Sequence, residues 1–516
     1  MAKVNLDALI PREDFEVGEN INPGKKKETI SIEDFKPDSF FFPNLRKPDF
    51  QRETNEWDSK KIAEFIFSFL TGDLIPAIIL WRSTSGYIFA IDGSHRLSSL
   101  FAWTNDDYGD REISKLFYDG VIPDEQLEIA EKTRKLINKK IGSYSDYKLA
   151  SAHPEKVKSD IVRKAKNLAA LAIQLQWVEG DASKAENSFF KINQQAAPIN
   201  KTELKLLKSR RKPNSIAARA IIRSGKGHKY WSAFSSEKQK EIQKLADEIN
   251  TILFNPKLET PIKTLDIPIG GKIYSAQTLP LILDFVNVTN KIELGSNGLE
   301  DDDSGEKTII FLKKTRKVAW MINSNHPSSL GLHPIIYFYS QDGRYKVASF
   351  FAIVNLMMDL KHRNKINDFV KAREKFEVFI QKYDYLVQQI NRKHRLVQAS
   401  YRHISLFFKR TIELINIGKM LDEAITKLIH EKEYDYLTLM SVKEITTTQK
   451  DFSTDKKSAI FILEAIQSTP KCKICNGLIH KNSISIDHIQ RKEDGGLASI
   501  DNAQLTHPYC NTGFKN

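Results

Sequence analysis

The three cysteines of this 516-residue chain all lie in its last 45 residues, as Cys472, Cys475 and Cys510. His507 precedes the last of them, so the chain reads C-x2-C, then 31 intervening residues, then H-x2-C. Three thiolates and one imidazole suit tetrahedral zinc, at about 2.3 Å from sulfur and about 2.0 Å from nitrogen. Because four protein ligands leave no position for water, this spacing predicts a structural zinc ion that stabilises the fold and does no chemistry.

Polar side chains that are suited to catalysis lie between and beside these ligands. Asp487 and His488 end an apolar stretch, a glycine pair marks a loop, Asn502 follows it, and Asn511 comes directly after the last cysteine. Histidine can accept a proton near neutral pH, and one Asp with one Asn suits a hard ion such as Mg²⁺. Neighbouring strand residues point to opposite faces, so we expect a bulge or a strand end to aim Asp487 and His488 at one phosphate.

Residues 471–516 resemble the HNH (ββα-metal) endonucleases in the order of these residues. The resemblance implies that His488 is a general base that activates water, and that Asn502 orients this histidine. It also implies that Asp487 and Asn511 bind a catalytic Mg²⁺ or Mn²⁺ ion. The family often places a lysine three residues after the asparagine, whereas Lys515 comes four after Asn511. The alternative interpretation is a zinc ribbon that only binds a partner.

Length and composition predict an ordinary intracellular globular protein. With 41% apolar and 28% charged residues, the chain is long enough for two to four domains. The first residues lack the apolar core of a signal peptide, and no run of about 18 apolar residues offers a membrane span. Because the cysteines are all assigned to one zinc site, we expect a reducing, cytoplasmic location and no membrane partner.

The net charge of +13 is concentrated in two segments. Residues 201–229 carry ten Lys or Arg against one acid, and residues 361–410 carry thirteen against four. Clustered cations indicate a polyanion-binding surface, because each neutralised phosphate releases counterions. The alternative is that they are solvated helix faces. The candidate DNA-phosphate contacts are Lys205, Lys208, Arg210, Arg211, Lys212, Arg392, Lys393 and Arg395.

A second informative pattern lies near the amino terminus. Residues 78–80 and 87–91 predict paired strands, Asp92 and Gly93 form the turn, and Ser94 is expected to cap the helix that follows. A helix start beside a glycine, with Arg96 close by, can hold a phosphate group.

With its flanking segments, this region resembles the ParB/sulfiredoxin-like superfamily, and most of all the N-terminal domain of GmrSD-type and phosphorothioate-sensing restriction proteins. Three features carry the resemblance: Gln51-Arg52 before Trp57, a strand ending in Asp-Gly-x-x-Arg, and a later Phe-x-x-Ile-Asn segment. It implies a domain that binds a nucleoside triphosphate and controls a C-terminal nuclease. Ser94-His95 stand where Gln-Gln is frequent, so binding is the prediction and hydrolysis is left open. The implied nucleotide site is Gln51, Arg52, Asp92, Gly93, Ser94, His95, Arg96 and Asn193.

The predicted fold class is α+β and mainly helical, with a ParB-like α/β domain, a helical middle and a small zinc-stabilised ββα-metal domain. Apolar residues at helical spacing between about 345 and 440 predict long amphipathic helices whose aromatic stripe is core. The predicted domains are an N-terminal extension (1–40), a ParB-like sensing domain (41–230), a basic helical domain (231–445) and a linker helix with the HNH domain (446–516).

Together these features predict a metal-dependent DNA endonuclease of a prokaryotic anti-phage restriction system. Its partners would be phage or modified DNA and a nucleotide, and its ions structural Zn²⁺ and catalytic Mg²⁺ or Mn²⁺. Two alternatives stay open: a mobile-element or homing-type HNH nuclease without nucleotide control, and a non-catalytic DNA-binding adaptor. Self-association and NTPase activity are also left open.

Overall fold

The computed structural model describes residues 3–13, 26–48, 51, 54–118, 120, 122, 124–196, 209–226, 229–273, 278–292, 299–439 and 451–515. The chain divides into two compact units. The N-terminal unit comprises residues 1–210 and 226–230, and the C-terminal unit comprises residues 211–225 and 231–516. Among the described helices, none combines the length and apolar character that a membrane span requires.

The N-terminal unit is built on a mixed six-stranded sheet with the strand order β1-β3-β5-β4-β6-β2. The pairs β1–β3, β3–β5 and β4–β6 are parallel, whereas β4–β5 and β6–β2 are antiparallel. The predicted pairing of residues 78–80 with 87–91 is therefore confirmed. The strands are β1 (Arg12–Glu13), β2 (Thr29–Ser31), β3 (Leu45–Pro48), β4 (Ile78–Arg82), β5 (Ile88–Asp92) and β6 (Ala172–Trp177).

The central strand β5 contributes buried residues to both faces of this sheet, because successive strand residues point to opposite sides. In β5, Ala90 packs into the main core of the unit, whereas Phe89 and Ile91 face the helix that carries Phe189. The helices of the unit are α1 (Ser59–Thr71), α2 (Ser94–Asn105), α3 (Glu112–Phe117), α4 (Asp124–Lys140), α5 (Tyr144–Ala152), α6 (Ser159–Asn167) and α7 (Ala182–Ala196).

The C-terminal unit is a helical body that carries a two-stranded hairpin, so the fold class is α+β and mainly helical. Its helices are α8 (Pro213–Ile222), α9 (Ser236–Phe254), α10 (Thr278–Thr289), α11 (Glu306–Ile322), α12 (Pro334–Tyr337), α13 (Val347–His362), α14 (Ile366–His394), α15 (Val397–Asn416), α16 (Leu421–Ile429) and α17 (Thr454–Ser468). The predicted apolar stripe is buried from Phe369 to Ile390 on α14 and from Ile404 to Leu414 on α15. The helical prediction for this region is confirmed.

Two buried histidines lie in this helical body, and they give it acid sensitivity. The His333 and His480 rings are in edge-to-face contact, with centroids 5.3 Å apart. Burial, the largest effect at both rings, lowers the pKa of His333 well below its ordinary value and that of His480 to about 4. The folded state therefore favours the neutral rings, and this stability is present in full above about pH 6.5 and decreases as the pH falls toward the folded value.

We expect His480 to contribute about 3 kcal/mol of stability that is lost between about pH 6.5 and pH 4. The measurement is the urea midpoint of the C-terminal unit against pH, with zinc content followed at each point. A His480→Gln variant should show a shallower loss than the parent over the same interval. Equal slopes at equal zinc content would contradict the assignment.

Candidate nuclease site and zinc centre

The candidate site is built on an antiparallel hairpin of β7 (Ser485–His488) and β8 (Ala503–Thr506). The register is regular from Ser485 opposite Thr506 to His488 opposite Ala503. Asp487 is buried, whereas His488 is partly exposed. His488 is the last residue of β7 and no bulge interrupts the pairing, so of the two expected arrangements the structure has the strand end.

The four predicted zinc ligands come together below this hairpin. The ligand atoms of Cys472, Cys475, His507 and Cys510 all lie within 4.8 Å of one another, and all four residues are buried. The Nδ1 atom of His507 is 3.3 Å from the Cys475 sulfur, while its Nε2 atom is 3.0 Å from the Leu478 carbonyl oxygen. A hydrogen bond from Nε2–H to a carbonyl leaves Nδ1 as the metal-binding nitrogen.

The donor set fits zinc in chemistry as well as in spacing. Burial, followed by the charge of Arg373, lowers the pKa of His507, which favours the neutral imidazole that a metal requires. Three thiolates with one divalent ion would carry a net charge of −1, and a buried cation beside them offsets this charge.

That cation is Arg373 on α14, a residue with no exposed surface. Its guanidinium donates to the carbonyl oxygens of Leu330 and Gly331 and to Glu377, and one Nη atom lies 3.1 Å from Nδ1 of His507. Glu377 also accepts from the backbone N–H of Leu478 at 3.2 Å. The Arg373–Glu377 pair therefore joins the zinc centre to the helical body.

The Asp487 carboxylate lies at the centre of the candidate catalytic site and already has a cationic neighbour. One of its oxygens accepts from Gln504 and from the Lys515 ammonium, both at 2.7 Å. Lys515 also donates to the backbone carbonyl of His488. The ammonium thus ties the two residues together and balances the charge of a carboxylate that is only 6% exposed.

The His488 imidazole has one buried nitrogen that is left unsatisfied. Its Nε2 atom is shielded from solvent and has no hydrogen-bond partner in the described structure. An unsatisfied buried nitrogen is costly in a purely structural residue, and such atoms are often associated with function.

Asn502 holds the loop of the hairpin. Its side-chain amide donates to the carbonyl oxygens of Gln490 and Leu497, and its oxygen accepts from the Gln490 backbone N–H at 2.7 Å. Its connection to His488 runs through the backbone, since the N–H of Ile489 donates to the Asn502 carbonyl. The resemblance implied direct orientation of the imidazole, and the structure shows that the amide bonds to the loop instead.

Asn511 lies on the short π-helix Cys510–Phe514, and Lys515 is the C-cap of this helix. The Lys515 N–H donates to the Cys510 carbonyl, the five-residue spacing of a π-turn. This wider turn accommodates the extra residue between Asn511 and the lysine, and it brings Lys515 onto Asp487. The Asn511 amide nitrogen donates to the Ser485 hydroxyl at 2.8 Å and to the Ile486 carbonyl, which places it beside the same strand.

Of the residues that were predicted to bind nucleotide, Asp92 ends β5, and Gly93, Ser94, His95 and Arg96 directly follow it. Gly93 has a left-handed φ of 97° and is the N-cap of α2, so Ser94 is the first helical residue and its expected capping role is wrong. Arg96 bonds the Asp92 carboxylate at 2.5 Å and the Pro76 carbonyl. At the helix start that was predicted to hold a phosphate group, Arg96 therefore forms an internal ion pair with Asp92.

The remaining members of this set are held by their neighbours. The His95 ring stacks on Trp57, with centroids 5.5 Å apart, and its Nε2 accepts from the Glu56 N–H. Gln51 donates to the Ala90 carbonyl, and its buried side-chain oxygen has no partner in the part of the chain that the structure describes. Arg52 and the side chain of Asn193 lie outside the described residues.

The predicted phosphate contacts divide into paired and unpaired cations. Lys205 and Lys208 lie outside the described residues, Arg210 pairs with Glu186 at 2.9 Å, and Arg211 and Lys212 have further interactions of their own. By contrast, three exposed cations at the turn between α14 and α15 form no ion pair within the described structure. These are Arg392, Lys393 and Arg395.

Sequence comparison matches two segments of the chain to known family models. Residues 34–210 match the family model of the GmrSD restriction endonuclease N-terminal domain, and residues 472–516 match that of the HNH endonucleases. The chain therefore has the architecture of a GmrSD-type N-terminal domain joined to a C-terminal HNH endonuclease domain. The two matches support a nuclease of a restriction system. No curated protein and no solved structure matches the chain.

The sequence interpretation did not assign a role to Lys515, Gln504 or Arg373. Lys515 could have been recognised from its family position, although only the π-turn explains its spacing. Arg373 gave no signal, because it lies 134 residues from His507 in sequence and resembles any other basic residue on a helix.

Proposed function

We propose that this protein is a metal-dependent DNA endonuclease of a restriction system, acting in the cytoplasm, with His488 as its general base. The observation that carries the proposal is the convergence of Asp487, His488 and Lys515 at one strand end. Lys515 bonds both Asp487 and the His488 backbone, and Asn511 is fixed to the same strand. The zinc centre below holds this hairpin in place.

In the proposed reaction, His488 takes a proton from a water molecule whose oxygen attacks the scissile phosphorus. The bond from phosphorus to the 3′ oxygen breaks, and the product carries a 5′ phosphate. Asp487 and Asn511 would hold a Mg²⁺ or Mn²⁺ ion, which supplies Lewis-acid stabilisation of the phosphate and the leaving oxygen. The Asp487 carboxylate and the Asn511 amide oxygen are hard ligands that fit such an ion.

The unpaired cations Arg392, Lys393 and Arg395 are proposed to contact the DNA backbone. On the same two helices, Lys382 is paired with Asp422 and Lys409 with Asp359. Unpaired clustered cations are better placed to exchange counterions for phosphates.

The N-terminal unit is proposed to bind a nucleotide and to restrain the nuclease. Support comes from the resemblance and from the helix start at Gly93, where backbone N–H groups can face a phosphate once Arg96 leaves Asp92. Calorimetric titration with nucleoside triphosphates tests this, and Arg96→Ala should abolish binding. If no nucleotide binds, the homing-type alternative without nucleotide control gains support.

Metal-dependent cleavage is tested with plasmid DNA and the full-length protein. We expect cleavage with Mg²⁺ or Mn²⁺ and none with EDTA, and at least a 100-fold loss in Asp487→Ala because the ion loses its charged ligand. The cut ends should be ligatable and should accept label from polynucleotide kinase only after phosphatase treatment, which identifies 5′ phosphates. Cleavage that persists at the parent rate in Asp487→Ala would contradict the proposed ion site, and binding without any cleavage would favour the adaptor.

A further inference from the structure

A cavity of about 490 Å³ opens on the C-terminal unit, between α9, the end of α11 and residues 324–326. We propose that this cavity binds a nucleobase from a DNA strand held at the nuclease hairpin. The inference rests on the proposed function, and it adds a binding site for the substrate outside the catalytic residues. Its size is within the range of small-molecule sites, about 300 to 1,000 Å³.

The cavity contains a preformed aromatic stack. The rings of Trp320 and His326 are nearly parallel, at 5° with centroids 4.3 Å apart, and the Arg316 guanidinium lies 4.3 Å from the Trp320 ring centroid. Glu248 fixes this arrangement, because it accepts from the Trp320 indole N–H at 2.8 Å and from Arg316 at 3.0 Å. The exposed His326 ring is thus held flat on a rigid support, as a platform for a planar ligand.

The segment around His326 forms two hydrogen bonds with the nuclease domain. The Asn325 side-chain oxygen accepts from the backbone N–H of Ile484, which directly precedes β7, and the Pro327 carbonyl accepts from the Thr512 hydroxyl of the π-helix. Ile484 is four strand residues from His488, which is about 13 Å. This length corresponds to about four nucleotides of a DNA strand, at about 3.4 Å per nucleotide.

The polar lining suits the edge of a base better than a phosphate. Lys244, Thr251 and Asn325 offer donors and acceptors around the cavity. Asp247 and Glu248 disfavour a phosphate in the cavity itself. Stacking on an aromatic ring with polar contacts at the edge is how proteins hold unpaired bases, whereas a base inside a duplex is not accessible to such a platform. The ligand is therefore an unpaired or extruded nucleobase.

The test uses the full-length His488→Ala protein, so that DNA is bound but not cut, with oligonucleotides that carry the fluorescent base 2-aminopurine. We expect quenching for an unpaired 2-aminopurine, and a loss of this quenching in a further His326→Ala variant. Affinity for single-stranded DNA should fall about tenfold. His326→Phe should retain both properties, because it keeps the ring. His430→Ala, an exposed histidine elsewhere on the unit, is the matched control and should change neither.

Equal affinity and quenching in His326→Ala and its parent would overturn the inference, as would a His326→Phe variant as weak as His326→Ala. A mononucleotide that binds as tightly as the oligonucleotide, and with the same His326 dependence, would also overturn the inference, because the cavity would then hold a free nucleotide and not a base of the bound strand. A parent protein that binds no DNA at all would refute the proposed function together with this inference. DNA binding that is unaffected by His326→Ala refutes the inference alone.

Discussion

Arg373→Met is expected to destabilise the C-terminal unit by about 3–5 kcal/mol, because it leaves the Glu377 carboxylate buried without its charged partner. The two side chains are 0% and 6% exposed and are joined at 2.8 Å. The variant also removes the donors to Leu330 and Gly331 and the cation beside His507. The measurement is urea denaturation of the full chain followed by zinc release, which reports on this unit because it contains the zinc ligands.

Arg363→Met is the matched control for this prediction. Arg363 pairs with Asp359 at the same four-residue spacing, but the two side chains are 56% and 31% exposed. Exposed pairs of this kind contribute about 0–1 kcal/mol. If Arg373→Met costs no more than Arg363→Met, then the buried pair does not anchor the zinc centre as the contacts indicate.

Removing one zinc ligand is expected to have the second large effect. In Cys475→Ser, the tetrahedral set loses a thiolate, and structural zinc sites contribute about 10–16 kcal/mol of apparent binding energy. We expect native mass spectrometry to find one zinc per parent chain and none in the variant. Hydrogen exchange should increase across residues 472–512 while the N-terminal unit keeps its protection, and DNA cleavage should be lost because the hairpin is no longer held.

Cobalt substitution gives an independent readout of the same site. A tetrahedral Co²⁺ complex with three thiolates absorbs strongly through charge transfer, and Cys475→Ser should weaken this absorption. A variant that retains a full equivalent of zinc and cuts DNA at the parent rate would show that Cys475 is not a ligand.

The sequence predicts the parts of this protein that depend on local spacing. The four zinc ligands lie on two short segments, so their convergence needs only the hairpin between them. The strands at residues 78–80 and 87–91 and the apolar stripes of α14 and α15 follow from periodicity in the same way. The two family resemblances agree with the comparisons for the same reason, since both depend on ordered short motifs.

The contacts that depend on tertiary packing could not be predicted. Arg373 looks like a solvated helix residue until α14 packs on the zinc centre. The role of Lys515 depends on a π-turn that spacing alone does not show. Arg96 and Asp92, expected to face a ligand, form an internal ion pair because β5 ends beside the first turn of α2. Because the nuclease domain forms hydrogen bonds with the helical body, experiments on the hairpin require the full chain.

In the proposed mechanism, His488 on the zinc-stabilised hairpin activates water for cleavage of DNA. Its most direct test compares single-turnover plasmid cleavage by the full-length parent and His488→Ala in Mg²⁺, with His430→Ala as control and with zinc content measured for each protein. We predict at least a 100-fold loss in His488→Ala at one zinc per chain, and parent activity in His430→Ala. Cleavage by zinc-loaded His488→Ala at the parent rate would show that His488 is not the general base.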